Sequence, residues 1–392
     1  MSDSVVILAA QRTPIGAFQG VLTSLTAPQL GAAAITGALN ISGLESGEIE
    51  EVILGCVLPA ALGQAPARQA ALTAGLSLST PATTINKMCG SGLKAIMMAA
   101  DQIRSGDAKI VLAGGFESMT NSPYLLPKAR GGYRMGHGAI LDHMFYDGLQ
   151  SPWDGQMMGA FAENTASKYA FTRAAQDAFA TESVRRALTA VDSGAFTAEI
   201  SPVTVKTRKG ETIITRDETP FNCDITKIAQ LKAAFSKDGT VTAASSSSIS
   251  DGAAAIILMD GVTAAQRGLQ PLARIVAYSS YAQEPEWFTT APVGALQALL
   301  LRTGWAIKDI DLFEINEAFA VVAMAAMQDL KIDHARVNVN GGACALGHPI
   351  GATGARIVTT LLHALKQRNL RRGVATLCIG GGEAIAIAIE RL

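Results

Sequence analysis

A chain of 392 residues exceeds what one hydrophobic core usually organises, so two or three domains are expected. With 49% hydrophobic residues, 17% charged residues and 38 glycines, it reads as a compact α/β chain with a large aliphatic core. Lys and Arg total 32 against 33 acids, so no global field draws it to nucleic acid or to an anionic membrane.

In chain order, strands are predicted over 5–10, 51–54 and 109–113. Helices are predicted over 28–39, 66–74 and 89–104, the first with Pro28 in a plausible first-turn position. The alternation restarts after residue 270, with strands over 274–278, 312–315 and 374–378 and helices over 293–302, 317–330 and 353–367. The two runs align. Leu93, Ile96, Met97 and Ala100 fall on Val358, Leu361, Leu362 and Leu365, one i, i+3, i+4, i+7 face in each copy. The same register lays "KIVLAGG" on "VATLCIG" and Ala113 on Cys378, which predicts a duplicated βα unit.

Beyond that strand the copies diverge. The second runs from "IGGGE" straight into "AIAIAIE", whereas the first reaches "AGGFE" and gives the similar "DGAAAIILMD" only near residue 251. Residues 120–249 therefore read as an insertion that caps the ends of the glycine-rich strands, where α/β sheets commonly bind ligands. The expected division is 1–119 plus 250–270, then 120–249, then 271–392. The five cysteines (56, 89, 223, 344 and 378) are odd in number and form no C-x-x-C pair. Disulfide and zinc readings fail on that spacing, no metal is expected, and a reducing cytoplasm fits. The start, "VVILAA", has no basic n-region before an apolar core, and stretches such as 318–327 are too short to span a bilayer.

Four places hold chemistry. In "NKMCGSGLKAI", Cys89 stands at the start of a helix, where orphan N–H groups and the macrodipole favour a thiolate, so a depressed pKa is expected. Gly90 and Gly92 beside it allow close approach of a carbonyl. In "GHPIGATGAR", His348 lies in a loop poor in side chains, so its orientation must come from elsewhere in the fold; it is a candidate base for a cysteine. In "TLCIGGGEA", Cys378 ends a strand and the glycines after it leave backbone N–H groups bare. In "EINEAFA", Asn316 ends a strand and is placed to cap a helix starting at Glu317. No G-x-G-x-x-G follows a strand, which excludes a nicotinamide fingerprint.

Taken together, "NKMCGSGLKAI", "NEAFA", "NVNGGACALGHPIGATGARI" and "CIGGGEA", with the opening "VVILAAQRTPIGAFQG", resemble the thiolases, specifically the acetyl-CoA acetyltransferases among them, over essentially the full length. The resemblance implies a duplicated α-β-α-β-α five-layered core. It also implies an inserted loop domain that grips coenzyme A and helps build a homodimer or homotetramer. It makes Cys89 the acylated nucleophile, His348 its base and Cys378 the acid/base for the α-proton of a second acetyl-CoA. Asn316 would hold a water that forms one oxyanion hole with His348, and the N–H groups of Cys89 and Gly380 would form the other. Acetyl-CoA, acetoacetyl-CoA and CoA are then substrates and products, with no resident cofactor.

For coenzyme A the resembling positions are Met158, Phe235, Ala243, Ser247, Phe288, Ala318 and Phe319, with Ser247 on the pantetheine arm. Two positions depart from the pattern: Met157 stands where many relatives have a histidine, and "DETPFNCD" lacks an arginine often found near 220. A degradative 3-ketoacyl-CoA thiolase for longer chains is the alternative within the family. Cys378 argues against carrier-protein condensing enzymes, which generally have histidine there, and against a simple cysteine hydrolase.

Overall fold

The computed structural model describes residues 4–207 and 210–392. The first run of elements is β1 (Val5–Arg12), β2 (Gly16–Ala17), α1 (Ala27–Ser42), β3 (Glu51–Gly55), α2 (Pro66–Thr73), β4 (Ala82–Ile85), α3 (Ser91–Ser105) and β5 (Ile110–Ser118). Next come β6 (Tyr124–Leu125), β7 (Leu141–Asp142), α4 (Met158–Lys168), α5 (Arg173–Asp192), β8 (Val203–Thr207) and β9 (Gly210–Ile214). The chain then re-enters the main sheet with β10 (Ser250–Asp260), followed by α6 (Gly261–Gln266). The second run is β11 (Ala273–Ala282), α7 (Ala291–Thr303), β12 (Leu312–Ile315), α8 (Ala320–Leu330), α9 (Ala343–Leu346), α10 (Thr353–Gln367), β13 (Arg372–Ile379) and β14 (Glu383–Arg391).

The sheet path is β12-β13-β14-β11-β1-β10-β5-β3-β4. Its halves repeat one pairing scheme. β10 lies antiparallel between β1 and β5, with β3 parallel to β5; β14 lies antiparallel between β11 and β13, with β12 parallel to β13. They join where β1 meets β11 through Val6↔Arg274 and Ile7↔Ala273.

Period-2 alternation in the strands and apolar stripes on the helices sort the side chains into three cores. Val111 and Ala113 of β5 and Ala375 and Leu377 of β13 face a central core with Leu93 and Ile96 of α3 and Val358 and Leu361 of α10. Leu112 and Phe116 face α1 and α2, while Val374 faces α7 and α8. The result is five layers, helices–sheet–helices–sheet–helices, with α3 and α10 in the middle. Both middle helices expose small residues to each other: a Cβ at Gly354 would meet the Leu93 nitrogen at 2.2 Å, and one at Gly92 the Ala355 nitrogen at 2.8 Å.

Three sequence expectations are corrected. The register that lays Ala113 on Cys378 does not hold: Ala113 faces the central core, whereas Cys378 faces an aromatic cluster on the opposite side of its sheet. The two helix–strand connections, 106–109 and 368–371, are equally long, so the repeat offset is 262 rather than 265 and Ala113 matches Ala375. A three-residue shift nearly preserves a helical face but, being odd, inverts every side chain of a strand. The helix expected from residue 89 begins at Ser91, and the one expected from residue 317 begins at Ala320. In the latter, residues 318–320 instead pair with 245–247, through Ser247 N–H to Ala318 O (2.9 Å) and Ala320 N–H to Ser245 O (2.8 Å).

A buried ion cluster pins the segment after α5 to the core. Arg12, fully buried on β1, donates to Glu199 at 2.6 Å and to both oxygens of Asp217 at 2.7 and 2.9 Å. Arg12→Met would strand two buried carboxylates, and breaking a buried pair in this way costs about 3–5 kcal/mol. Its thermal midpoint is expected to fall by several degrees; a midpoint equal to wild type would show the cluster to be energetically neutral.

Candidate active site

Cys89 sits on a tight bend between β4 and α3. Met88 adopts a left-handed φ of 48°, unusual for a residue with a side chain. Ser91 locks the bend: its Oγ accepts from the Lys87 N–H at 2.8 Å and donates to the Met88 carbonyl at 2.7 Å. The thiol is thereby lifted off the end of the helix, where the Gly380 N–H and its own N–H donate toward the sulfur. It remains partly exposed.

The expected depression of its pKa is not found. Burial pushes the Cys89 thiol up to about 11, the two N–H groups pull it down, and the nearby Glu117 carboxylate adds to the rise. The helix starts two residues later than expected, and apolar Met88 and Ile350 flank the thiol, so desolvation outweighs the macrodipole. Cys378, fully buried near the end of β13, is also raised, first by burial and then by Cys89 itself, so the two sulfurs are electrostatic neighbours.

His348 is buried. Its orienting partner is local rather than remote: Nδ1 lies 2.6 Å from Thr353 Oγ1. That hydroxyl donates to the Pro349 carbonyl at 3.0 Å, so its oxygen accepts from Nδ1–H. The lone pair is left on Nε2, which has no partner. Burial first and the Arg356 charge second push His348 down to about 3, so the resting imidazole is a neutral base. Its loop is tied by Glu117, whose carboxylate accepts from Gly351 N–H at 2.9 Å, Val57 N–H at 2.9 Å and Leu58 N–H at 3.1 Å.

Asn316 does not cap a helix. It lies just past β12, buried, with its N–H on the Thr376 carbonyl at 3.0 Å, Oδ1 3.5 Å from Arg356 and Nδ2 without a partner. Glu317, expected to open that helix, is held by Ser183, Asn338 and the Cys344 N–H instead.

A cavity of about 460 Å³ opens beside Cys89, lined by its neighbours Met88 and Gly380, although Cys89, Asn316, His348 and Cys378 are not themselves among its lining residues. Gly381, Met158 and Phe161, and Tyr146 and Trp153 of the segment after β7, also line it. Of the residues proposed from sequence for coenzyme A, Met158 lines it. Phe235, Phe288, Ala318 and Phe319 pack behind it with Met158 and Cys378 in one apolar cluster, where Phe319 meets Phe235 and Phe288 edge-on at 5.8 and 6.5 Å. Ser247 is half-buried beside Ala318, and Ala243 is exposed. Tyr146, Trp153, Thr353 and Arg356 were missed. The aromatics carry no motif, but an arginine inside an apolar helix (353–367) was a readable sign of a buried partner.

Comparison with known proteins gives three findings. The chain matches the family model "Thiolase, N-terminal domain" over residues 5–261 and "Thiolase, C-terminal domain" over 269–391. It is 50% identical to an acetyl-CoA acetyltransferase of Pseudomonas aeruginosa over 391 residues, covering 99% of this chain and all of that one. It is also 50% identical to one of Escherichia coli over 389 residues, 99% of each. The crystal structure of the Bacillus anthracis acetyl-CoA acetyltransferase superposes with a TM-score of 0.97 at 44% identity, covering 100% of this chain and 99% of that one.

Proposed function

The chain belongs to the thiolase family, and from that premise we propose that it is an acetyl-CoA C-acetyltransferase, joining two acetyl-CoA into acetoacetyl-CoA and CoA and running the reverse cleavage. The observation that carries the reading is the adjacency of two thiols, Cys89 and Cys378, beside the Gly380 N–H; the buried and unpartnered His348 Nε2 and Asn316 Nδ2 are the base and the donor it calls for.

In the first half-reaction His348 Nε2 takes the Cys89 proton as the sulfur attacks the thioester carbonyl. The C–S bond to coenzyme A breaks, the proton passes to the leaving thiolate, and acetyl-Cys89 remains. In the second, Cys378 first passes its own proton to His348, and the resulting thiolate removes a proton from the methyl group of a new acetyl-CoA. The carbanion attacks acetyl-Cys89, and the Cys89 thiolate departs and recovers a proton. The Cys89 and Gly380 N–H groups stabilise the oxyanion on the acyl group, and Asn316 with His348 the enolate oxygen, through a water. A single such donor is commonly worth a hundredfold or more in rate. Every bond change balances on these groups, so the proposal includes no resident cofactor or metal.

Met158 at the cavity wall supports its role beside the pantetheine arm, and the half-buried Ser247 beside Ala318 suits a hydrogen bond to the same arm. β4 ends the sheet path with one edge unpaired, which suits a homodimer or homotetramer. Five free thiols suit a reducing cytoplasm, and no helix among the described residues is long and apolar enough to cross a membrane.

The chain-length preference is tested by comparing cleavage of acetoacetyl-CoA with that of six- and eight-carbon 3-ketoacyl-CoA. Phe161, Phe288 and Phe319 fill the space behind the cavity, so kcat/KM is expected to be highest for acetoacetyl-CoA. A higher value for the eight-carbon substrate would replace the acetyl reading with the longer-chain one.

A further inference from the structure

The polar residues of the central helix α10 form a stripe. Thr353, Arg356 and Thr360 recur at i, i+3 and i+7, opposite the apolar face of Val358, Leu361, Leu362 and Leu365. Each holds a group outside the helix. Thr353 holds His348, Thr360 donates to Glu199 at 3.0 Å, and Arg356 reaches the end of β12. Glu314 and Asn316 are two residues apart and so share the strand face that looks at α10. Arg356 Nη1 lies 3.4 Å from Glu314 Oε2, and Nη2 lies 3.5 Å from Asn316 Oδ1; all three side chains are buried.

A guanidinium has donors and no acceptor. An amide next to it must therefore present its oxygen to the arginine and its NH₂ to the other side. The Asn316 Nδ2 is in fact buried and unpartnered, as is the His348 Nε2. We propose that Arg356 is a positioning residue that sets the polarity of the Asn316 amide, forcing a hydrogen-bond donor rather than an acceptor into the reaction site. This rests on the thiolase reading above. Lysine in its place keeps the charge beside Glu314 but loses the planar fork that reaches both groups.

The test is steady-state cleavage of acetoacetyl-CoA by wild type, Arg356→Lys, Asn316→Ala, Asn316→Asp and the double variant Arg356→Lys/Asn316→Ala. Thermal midpoints are measured on each. Arg356→Lys is expected to lower kcat by roughly 10- to 100-fold while KM changes less than about threefold, because the donor acts on the transition state. In the Asn316→Ala background the same change should alter kcat by less than about threefold, since the group it acts through is gone. Asn316→Asp supplies a second readout. It keeps an acceptor for Arg356, although it adds a buried carboxyl beside Glu314, so its thermal midpoint is read with its rate; it places an acceptor toward the substrate and should be as impaired as Asn316→Ala. An Asn316→Asp enzyme with wild-type kcat would overturn the proposed orientation. So would equal kcat losses from Arg356→Lys with and without Asn316. A wild-type enzyme inert toward CoA thioesters would overturn the thiolase reading and this proposal with it.

Discussion

Cys89→Ala is expected to lose thiolysis and condensation together, by at least roughly 10⁴-fold, because covalent transfer has no other route in this site. Cys378 is fully buried and points into the aromatic cluster, while Cys56 is buried against Glu117, 3.5 Å from its carboxylate, which disfavours a second negative charge. Neither is placed to take over from Cys89, whose neighbours Met88 and Gly380 line the cavity. Wild-type protein incubated with acetyl-CoA should carry one acetyl group on the peptide containing Cys89, and Cys89→Ala should carry none by peptide mass spectrometry. A label on Cys56 or Cys378, or a variant within tenfold of wild type, would remove Cys89 from the mechanism.

The pH dependence of that acylation follows from the same surroundings. His348 is pushed down to about 3 and Cys89 up to about 11. Between those values the imidazole is unprotonated and the thiol protonated, so the base is available and the proton moves during attack rather than before it. Single-turnover acylation is expected to stay level from about pH 5 to about pH 9. It would fall only where His348 gains a proton, at lower pH. A rate that climbed about tenfold per pH unit across this range would mean that a preformed thiolate does the work.

The second large effect separates the two cysteines. Cys378→Ser should still become acetylated, since attack on the first thioester needs only Cys89 and His348. Its exchange of the methyl protons of bound acetyl-CoA with deuterated water should fall by about 10²-fold or more, since the group that removes a proton from carbon is gone. Cys89→Ser should show the opposite pattern, with turnover lost and part of the exchange kept. Burial and the neighbouring Cys89 both raise Cys378, so once it has given up its proton its thiolate is a strong base toward carbon. The readouts are NMR exchange and acylation on each variant. Equal loss of both activities in both variants would reject a division of labour, allowing for the non-additivity of residues that act as a unit.

The sequence by itself determined the duplicated α/β plan, and it put forward an insertion over 120–249 and the four segments that bear Cys89, Asn316, His348 and Cys378. These are local properties: a 3.6-residue apolar stripe, a period-2 strand, and glycines where chain ends approach one another. The thiolate at Cys89 and the base at His348 were read from the residues themselves, and the resemblance to a family added the expected roles of Asn316, Cys378 and Gly380. Only the tertiary structure decided how they are tuned. That the helix after Asn316 waits until Ala320 follows from pairing with residues 245–247, some seventy positions earlier in the chain. That Cys378 faces away from the central core follows from its strand parity beside Leu377, which the sequence alignment, three residues out of register, placed on the wrong face. The protonation of Cys89 and His348, and the direction of the Asn316 amide, are set by burial and by Arg356, and desolvation is a property of the assembled surroundings rather than of neighbours in sequence. Tyr146 and Trp153 were silent for the same reason: nothing in their own segments marks them, and only the tertiary fold brings them to one cavity with Gly380 and Gly381, just past β13.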